Sequence, residues 1–282
     1  EVLLGGQAVI EGVMMRAGDS VAVAVRKPNG KIAVKKEKII PLSKKYPVLK
    51  LPLLRGVIAL YDSLVIGTKT LIFSAEESTD GEEKITSKEL YITFGVAIVF
   101  AIGIFVLLPL FLTSLTRQSG VTFNIIDGIL RLVFFIIYLV AISSFKDVKR
   151  MFAYHGAEHM AVHCHEEKKP LTVKNVRKFS TAHARCGTSF LLIVLLISIA
   201  VFSIVNPDNF LLKFLSRILL IPLIAGISYE LLRFSAKFSK NFIGRAIAYP
   251  GMLLQRITTK KPDDGQIKVA IAALKALSTS SA

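Results

Sequence analysis

All five histidines and both cysteines of the 282-residue chain fall between His155 and Cys186. They stand in three groups: Tyr154-His155-Gly156-Ala157-Glu158-His159, then His163-Cys164-His165-Glu166-Glu167, then His183-Ala184-Arg185-Cys186. Imidazole and thiolate are the side chains that borderline-soft divalent ions prefer. Their confinement to one short segment reads as a transition-metal site, with zinc or another divalent transition metal as the expected ion. Two cysteines inside a histidine cluster do not form a disulfide framework, and reduced thiols fit a segment facing the cytosol.

His155 and His159 are four residues apart, so on a helix their rings share one face, with Glu158 on the adjacent edge. The order His-x-x-Glu-His is the inverted zincin pattern, in which two histidines hold the ion and the glutamate acts as general base. Glu158 is thus the candidate catalytic residue. A third ligand is needed, and the sequence offers several. Glu166 lies on the same helical face but about 10 Å further along the axis than His159, given the helical rise. It completes an overlapping site with His159 and His163 instead. His183 and Cys186, at i and i+3, can turn one face towards the first helix. If both bind with His155 and His159, the site is closed and tetrahedral, the structural form of zinc. If only one binds, a position is left for water and the site is of the catalytic form. Cys164 and His165 point away from the His155/His159 face and are the weakest candidates. The plainest alternative for any single histidine is a side chain lodged among lipid headgroups.

The elements that position these residues come from an apolar chain. Hydrophobic residues make up 52% and the mean hydropathy is +0.57, yet the formal charge is +16. Such values coexist only when charge and apolar runs are segregated. Leu90–Thr116 and Gly187–Pro207 contain no charged residue, while Ile125–Phe145 holds Asp127 and Arg131 and Leu211–Tyr229 holds Lys213 and Arg217. Each run has the roughly 20 residues a helix needs to cross a bilayer. Four membrane spans are expected. Asp127 and Arg131 are placed to pair with each other, and Asp127 and Lys213, near the outer ends, are expected to snorkel. Residues 1–12 lack a basic stretch before an apolar core, so no secretory signal is expected there.

Lysine and arginine counts orient the spans. Residues 1–50 carry ten, 146–187 nine and 233–282 nine, against one in 117–124 and none in 206–210. Both termini and the histidine segment are therefore expected on the cytoplasmic side. Leu51–Phe73 is also apolar but contains Arg55, Asp62 and Lys69. As a span it would put the basic 146–187 segment outside, so it is read as an interfacial or re-entrant helix. The expected organisation is a basic cytoplasmic β region at 1–50 and the interfacial helix at 51–75. An acidic loop follows at 76–89, the first two spans at 90–145 and the cytoplasmic His/Cys segment at 146–187. The last two spans occupy 188–232 and basic cytoplasmic helices 233–282. The fold class is an α-helical polytopic membrane protein with a small cytoplasmic β-hairpin region.

In that β region Val21, Val23 and Val25 alternate with smaller residues, Pro28-Asn29-Gly30 makes a turn, and Ile32 and Val34 resume the alternation. Lys35 and Lys36 mark an edge. The preceding Gly5–Arg16 stretch reads as a strand with a bulge, or as a strand presenting Gln7, Glu11 or Arg16 to a site. Near the C-terminus, Asp263 or Asp264 can cap a helix whose Ile267, Ala270, Ile271, Leu274 and Leu277 share a face.

Four segments carry a family resemblance: Gly5-Gly6-Gln7-Ala8-Val9-Ile10-Glu11-Gly12-Val13-Met14-Met15-Arg16, Tyr154–His159, His183-x-Arg185-Cys186-Gly187-Thr188, and Leu254-Gln255-x-x-Thr258-Thr259. Together they resemble the YqhQ family of bacterial integral membrane proteins, over nearly the whole chain. The resemblance implies a multi-pass protein of the bacterial cytoplasmic (inner) membrane and a metal-dependent enzyme. It maps the candidate site to His155, Glu158, His159, Glu166, His183 and Cys186, with Glu11 nearby. Met160 stands where relatives are expected to carry lysine. His163 and His165 are particular to this chain, which weakens the His159/His163/Glu166 option.

Two functions from different classes fit. One is a metal-dependent hydrolase acting at the membrane surface on a lipid-linked or membrane-peptide substrate, with Glu158 as base. The other is a non-enzymatic scaffold with a structural metal, whose basic cytoplasmic face binds anionic lipid, RNA or the ribosome. The lipid bilayer is a partner in both.

Overall fold

The computed structural model describes residues 4–79, 86–183, 186–238 and 241–278. Arg185 and Asp80, Glu82 and Glu83 of the expected acidic loop lie outside these residues. The N-terminal region is a four-stranded antiparallel meander: β1 (Leu4–Val9), β2 (Gly12–Ala17), β3 (Ser20–Arg26) and β4 (Ile32–Lys38), in the order β1-β2-β3-β4. The expected β3–β4 hairpin is present, with Gly30 at φ 80° in its turn. The Gly5–Arg16 stretch is not one bulged strand. It is a second hairpin turned by Ile10 and Glu11, with Val9 paired to Gly12 and Glu11 at φ 50°. Gly12 makes the tight turn possible, because a Cβ there would collide with the Ala24 carbonyl.

Nine further helices of more than one turn are labelled here. They are α1 (Leu54–Ser78), α2 (Lys88–Ser114, with a π-helical turn at Gly103–Leu107), α3 (Gly120–Ile142) and α4 (Lys146–Glu166). Beyond the His/Cys segment come α5 (Gly187–Ile204), α6 (Phe210–Leu219), α7 (Ile221–Lys237), α8 (Phe242–Thr258) and α9 (Asp264–Ser278). Four of them, α1, α2, α3 and α5, are long and apolar enough to cross a membrane. Three of these, α2, α3 and α5, are among the four expected. The fourth expected, Leu211–Tyr229, falls in the pair α6 and α7, which is long and apolar enough when taken together but bends by 47°. Pro222 in the first turn of α7 explains the break, since it has no N–H and its ring crowds the preceding turn. Leu54–Ser78, read as interfacial, meets the length and apolarity of a span. It extends to Ser78, so the acidic loop begins later than expected. Thr86 and Glu89 close it with a capping box at the start of the next helix.

The sheet lies between two helical layers. Val9, Met14, Val21, Val23 and Val25 pack with Ile66 of α1. The opposite face, with Val13, Met15 and Ala24, packs on α4 and α9. Asp263 caps α9 by accepting from the Gln266 amide at 2.7 Å, and Ile267, Ala270, Ile271 and Leu274 enter the core as expected. The embedded charges of the bundle turn inward and do not snorkel. Asp127 is 1% exposed and pairs with Arg131 at 3.0 Å and Arg217 at 3.4 Å, and the Lys213 ammonium lies 4.1 Å from the Phe123 ring centroid. In a low-dielectric bundle a charge with a partner costs less than one stretched towards a distant interface.

Candidate metal centre

α4 sets the site. Its apolar face, with Ala157, Met160, Ala161 and Cys164, is buried against β2 and α9. That anchoring directs His155, His159 and His163, at successive i+4 positions, along the other side. Cys164 belongs to the core and His165 is exposed, so neither joins the site. Gly156 lets the chain after α8 lie directly on α4. A Cβ there would clash with the Lys260 carbonyl, and the Lys260 amide donates to the Phe152 carbonyl at 2.9 Å.

The candidate ligands fall into two adjacent groups. In the first, ligand atoms of His155, His159 and Cys186 lie within 4.8 Å of one another. His155 Nε2 is 3.2 Å from Cys186 Sγ, while its Nδ1 donates to the Thr258 carbonyl at 2.8 Å. His159 Nδ1 donates to the Thr181 carbonyl at 2.6 Å. A carbonyl can only accept, so both rings carry their proton on Nδ1 and present Nε2 as the ligand atom. Burial pushes the His159 ring down to about 2, helped by the neighbouring His155, so it is neutral as a ligand must be. Burial likewise holds the Cys186 thiol above its usual range, partly offset by Thr188.

In the second group, His163, Glu166 and His183 approach within the same limit. His183 Nε2 is 3.4 Å from Glu166 Oε2, and the His163 and His183 ring centroids are 4.5 Å apart. Of the alternatives the sequence left open, the grouping of ligand atoms joins Cys186 to His155 and His159, and sets His183 beside His163 and Glu166. The physical reason is where α5 starts. His183 and Cys186 would share a face only inside a helix, but α5 begins at Gly187 with Cys186 as its cap. Cys186 N–H donates to the His183 carbonyl at 3.3 Å, and the two side chains join different ligand groups.

Glu158 stands beside the first group at 5% exposure, with Oε2 lacking any hydrogen-bond partner among the described residues. Burial raises its carboxyl to about 8, with His155 pulling the other way. β1 makes room for it: a Cβ on Gly6 would lie 2.5 Å from Glu158 Oε1. A buried carboxyl oxygen with no partner among the described residues, next to two imidazoles that present Nε2 and a thiol, is the donor set a divalent cation would satisfy. Strand, helix and the start of α5 together enclose a cleft of about 370 Å³, lined by Gly5, Gly6, His155, Glu158, His159 and Cys186 among others. Glu11 is elsewhere. It accepts from Arg150 at 2.6 and 2.5 Å and from Tyr154 at 3.1 Å, outside both ligand groups.

Over residues 51–280 the chain matches the family model described as "protein of unknown function (DUF1385)". The chain belongs to this family. It is also 36% identical, over 290 residues, to the uncharacterised protein YqhQ of Bacillus subtilis (strain 168), covering 97% of this chain and 91% of that protein. No solved structure matches it.

In this member of the DUF1385 family the supporting residues are as informative as the ligands. Gln255, fully buried, clamps the backbone of His183: its Oε1 accepts from His183 N–H at 2.8 Å and its Nε2 donates to the His183 carbonyl at 2.9 Å. Thr258, one helical turn on, supplies the carbonyl that orients His155. Sequence reasoning left Gln255, Thr258 and Thr181 without a role. The signal was the Leu254-Gln255-x-x-Thr258-Thr259 segment, whose uncharged polar residues interrupt an apolar-basic helix.

Proposed function

We propose that this is a multi-pass membrane protein that holds a zinc-like ion at His155, His159 and Cys186 and acts as a hydrolase at the cytoplasmic membrane surface. The observation that carries the reading is the first group's composition and openness. Three candidate ligand atoms converge beside the cleft, and an unpartnered Glu158 carboxyl, which a bound cation would help to ionise, stands next to them. His183 also lines this cleft, but its ligand atoms group with His163 and Glu166. A divalent ion bound here would acidify a water and polarise a carbonyl. Glu158 takes the proton the attacking water loses and delivers it to the leaving group, and the walls of the cleft limit competing water. Thr258 and Thr181 fix the imidazole tautomers throughout.

Membrane insertion is supported by the apolar surface of α2, where Tyr91 is 76% and Val99 71% exposed. Such a surface is stable in lipid, not in water. The lysine and arginine bias puts both termini and α4 on the cytoplasmic side, against anionic headgroups. We read α1 as interfacial. One face packs on the sheet, with Ser74 Oγ accepting from the Ile10 amide at 3.2 Å, while Tyr61, Leu64 and Val65 form an exposed apolar strip. Elemental analysis and complementation test the reading. His155→Ala with His159→Ala is expected to lose the ion. Glu158→Gln is expected to keep ion and fold while losing cellular function, as general-base removal costs about 10²–10⁴ in rate. Full complementation by Glu158→Gln with unchanged metal content refutes it.

A further inference from the structure

The two edges of the sheet are treated differently. The β4 edge carries Lys35, Lys36 and Lys38, and Lys36 Nζ reaches across to the Ala276 carbonyl at 2.5 Å. Charge and a covering helix are how folded proteins block unwanted strand pairing. The β1 edge, Leu4-Gly5-Gly6-Gln7-Ala8-Val9, carries no charge at all. The two-residue turn fixes which of its amides are free. Val9 and Gly12 flank the turn and exchange both backbone hydrogen bonds, so Val9, Gln7 and Gly5 point theirs at β2. Leu4, Gly6 and Ala8 point theirs outward, as Ile10 does towards Ser74 of α1. Among the described residues no hydrogen bond reaches the outward groups of Gly6 and Ala8.

That open edge borders the cleft of the metal centre. Five consecutive residues, Leu4 to Ala8, line it. Alternate residues of a strand point to opposite faces, so the feature all five share is the backbone edge itself. Gly5 has nothing within 4 Å of where a Cβ would stand, and Gly6 lies directly over the Glu158 carboxylate. A second backbone can therefore approach without meeting side chains. At the roughly 4.8 Å spacing of paired strands, it would run inside the cleft that His155, Glu158, His159 and Cys186 also line.

We propose that the outer edge of β1 binds an extended peptide segment by strand addition, laying its backbone along Gly6 and Ala8 beside the metal centre. The substrate class of the hydrolase proposed above, on which this rests, is then an unfolded stretch of polypeptide. Main-chain hydrogen bonds supply affinity in this mode, and pockets for alternate side chains supply preference. Leu4, Met151, Phe152, Val162 and Leu191 make those pockets apolar.

The test is fluorescence polarisation with the detergent-purified full chain and a short labelled peptide alternating valine and threonine. Two derivatives are compared with it: one N-methylated at alternate amides, which keeps one bonding edge, and one N-methylated at every amide, which keeps none. The parent and the alternately methylated peptide are expected to bind, and the fully methylated one to bind at least tenfold more weakly. Ala8→Pro removes the outward donor without touching the β1–β2 ladder, so it is expected to weaken binding with metal content and unfolding temperature unchanged. His155→Ala with His159→Ala is expected to lose the ion yet still bind peptide, which separates failure of the metal reading from failure of this one. Equal binding of all three peptides overturns the proposal. So does the absence of binding, including the case where Gly5→Cys disulfide-links two copies edge to edge. If Ala8→Pro fails to fold, the peptide series on the unaltered chain still decides.

Discussion

Replacing Gln255 by leucine tests whether the His183 clamp holds the site together. Leucine keeps the volume of a fully buried side chain and removes both its hydrogen bonds, which measure 2.8 and 2.9 Å. The His183 amide and carbonyl then lose their Gln255 partners, the carbonyl keeping the longer bond from Cys186 N–H at 3.3 Å, and losing the partner of a buried group costs about 1–3 kcal/mol. The clamp is thus worth roughly 3 kcal/mol if the 181–186 segment cannot relax, which corresponds to roughly 6–12 °C in unfolding temperature for a chain of this size. If the segment does relax towards water, stability is spared but His183 and Cys186 move away from α4, and metal retention through dialysis falls instead. Thermal unfolding and metal content measured together cover both routes. A sharper form is Gln255→Glu. A protonated glutamic acid copies glutamine, whereas its carboxylate faces the His183 carbonyl with no proton between them. Burial and that carbonyl raise the folded pKa of the introduced acid above its unfolded value. Its stabilisation is therefore full below the unfolded pKa and disappears as pH rises through the folded one. Gln255→Glu is expected to match the parent in acid and weaken towards alkaline pH. Parent-like unfolding and parent-like metal retention in Gln255→Leu would refute the clamp.

Gly6→Ala puts a methyl 2.5 Å from Glu158 Oε1 and 2.7 Å from its Cδ. It is expected to displace the carboxylate and abolish complementation with the metal kept, whereas Gly5→Ala, in open space, is neutral. At Glu11, burial pushes the carboxyl up but Arg150 and Tyr154 outweigh it and hold it below the usual carboxylate range. The contribution of the pair is then present above the unfolded pKa and is lost as pH falls through the depressed one. Glu11→Gln should cost up to about 1 kcal/mol at neutral pH, as for part-exposed pairs, and nothing in strong acid. Cysteines placed at Ser119 or Asn209 should react with a membrane-impermeant reagent from outside and one at Lys168 should not. The native Cys164 and Cys186 are buried and give little background. Outside labelling at Lys168 refutes the topology.

The charge-free runs and the valine alternation made the helices and the β3–β4 hairpin legible, because each follows from one local periodicity. The first hairpin was not. Ile10-Glu11 is a poor turn pair on its own, and what selects it is Gly12 packing against the Ala24 carbonyl one strand away. The break between α6 and α7 was locally legible through Pro222 and was masked by the hydropathy of the residues around it. The inward turn of Asp127 depends on Arg217, 90 residues distant, and no local pattern contains that partner.

The site divides along the same line. His155, Glu158 and His159 were readable together because helical spacing alone places them, and that spacing holds wherever the helix goes. The third ligand was not readable, because it depends on where a different helix begins. Had α5 started one turn earlier, His183 and Cys186 would share a face and could close a tetrahedral site around His155 and His159. Starting at Gly187, it leaves Cys186 alone with the first pair and sends His183 to His163 and Glu166. Gln255 holds that division in place by gripping the backbone of His183 and leaving its ring outside the first group. On the reading proposed above, the open side of the candidate site thus follows from a helix start and one buried amide, neither of which is a candidate ligand.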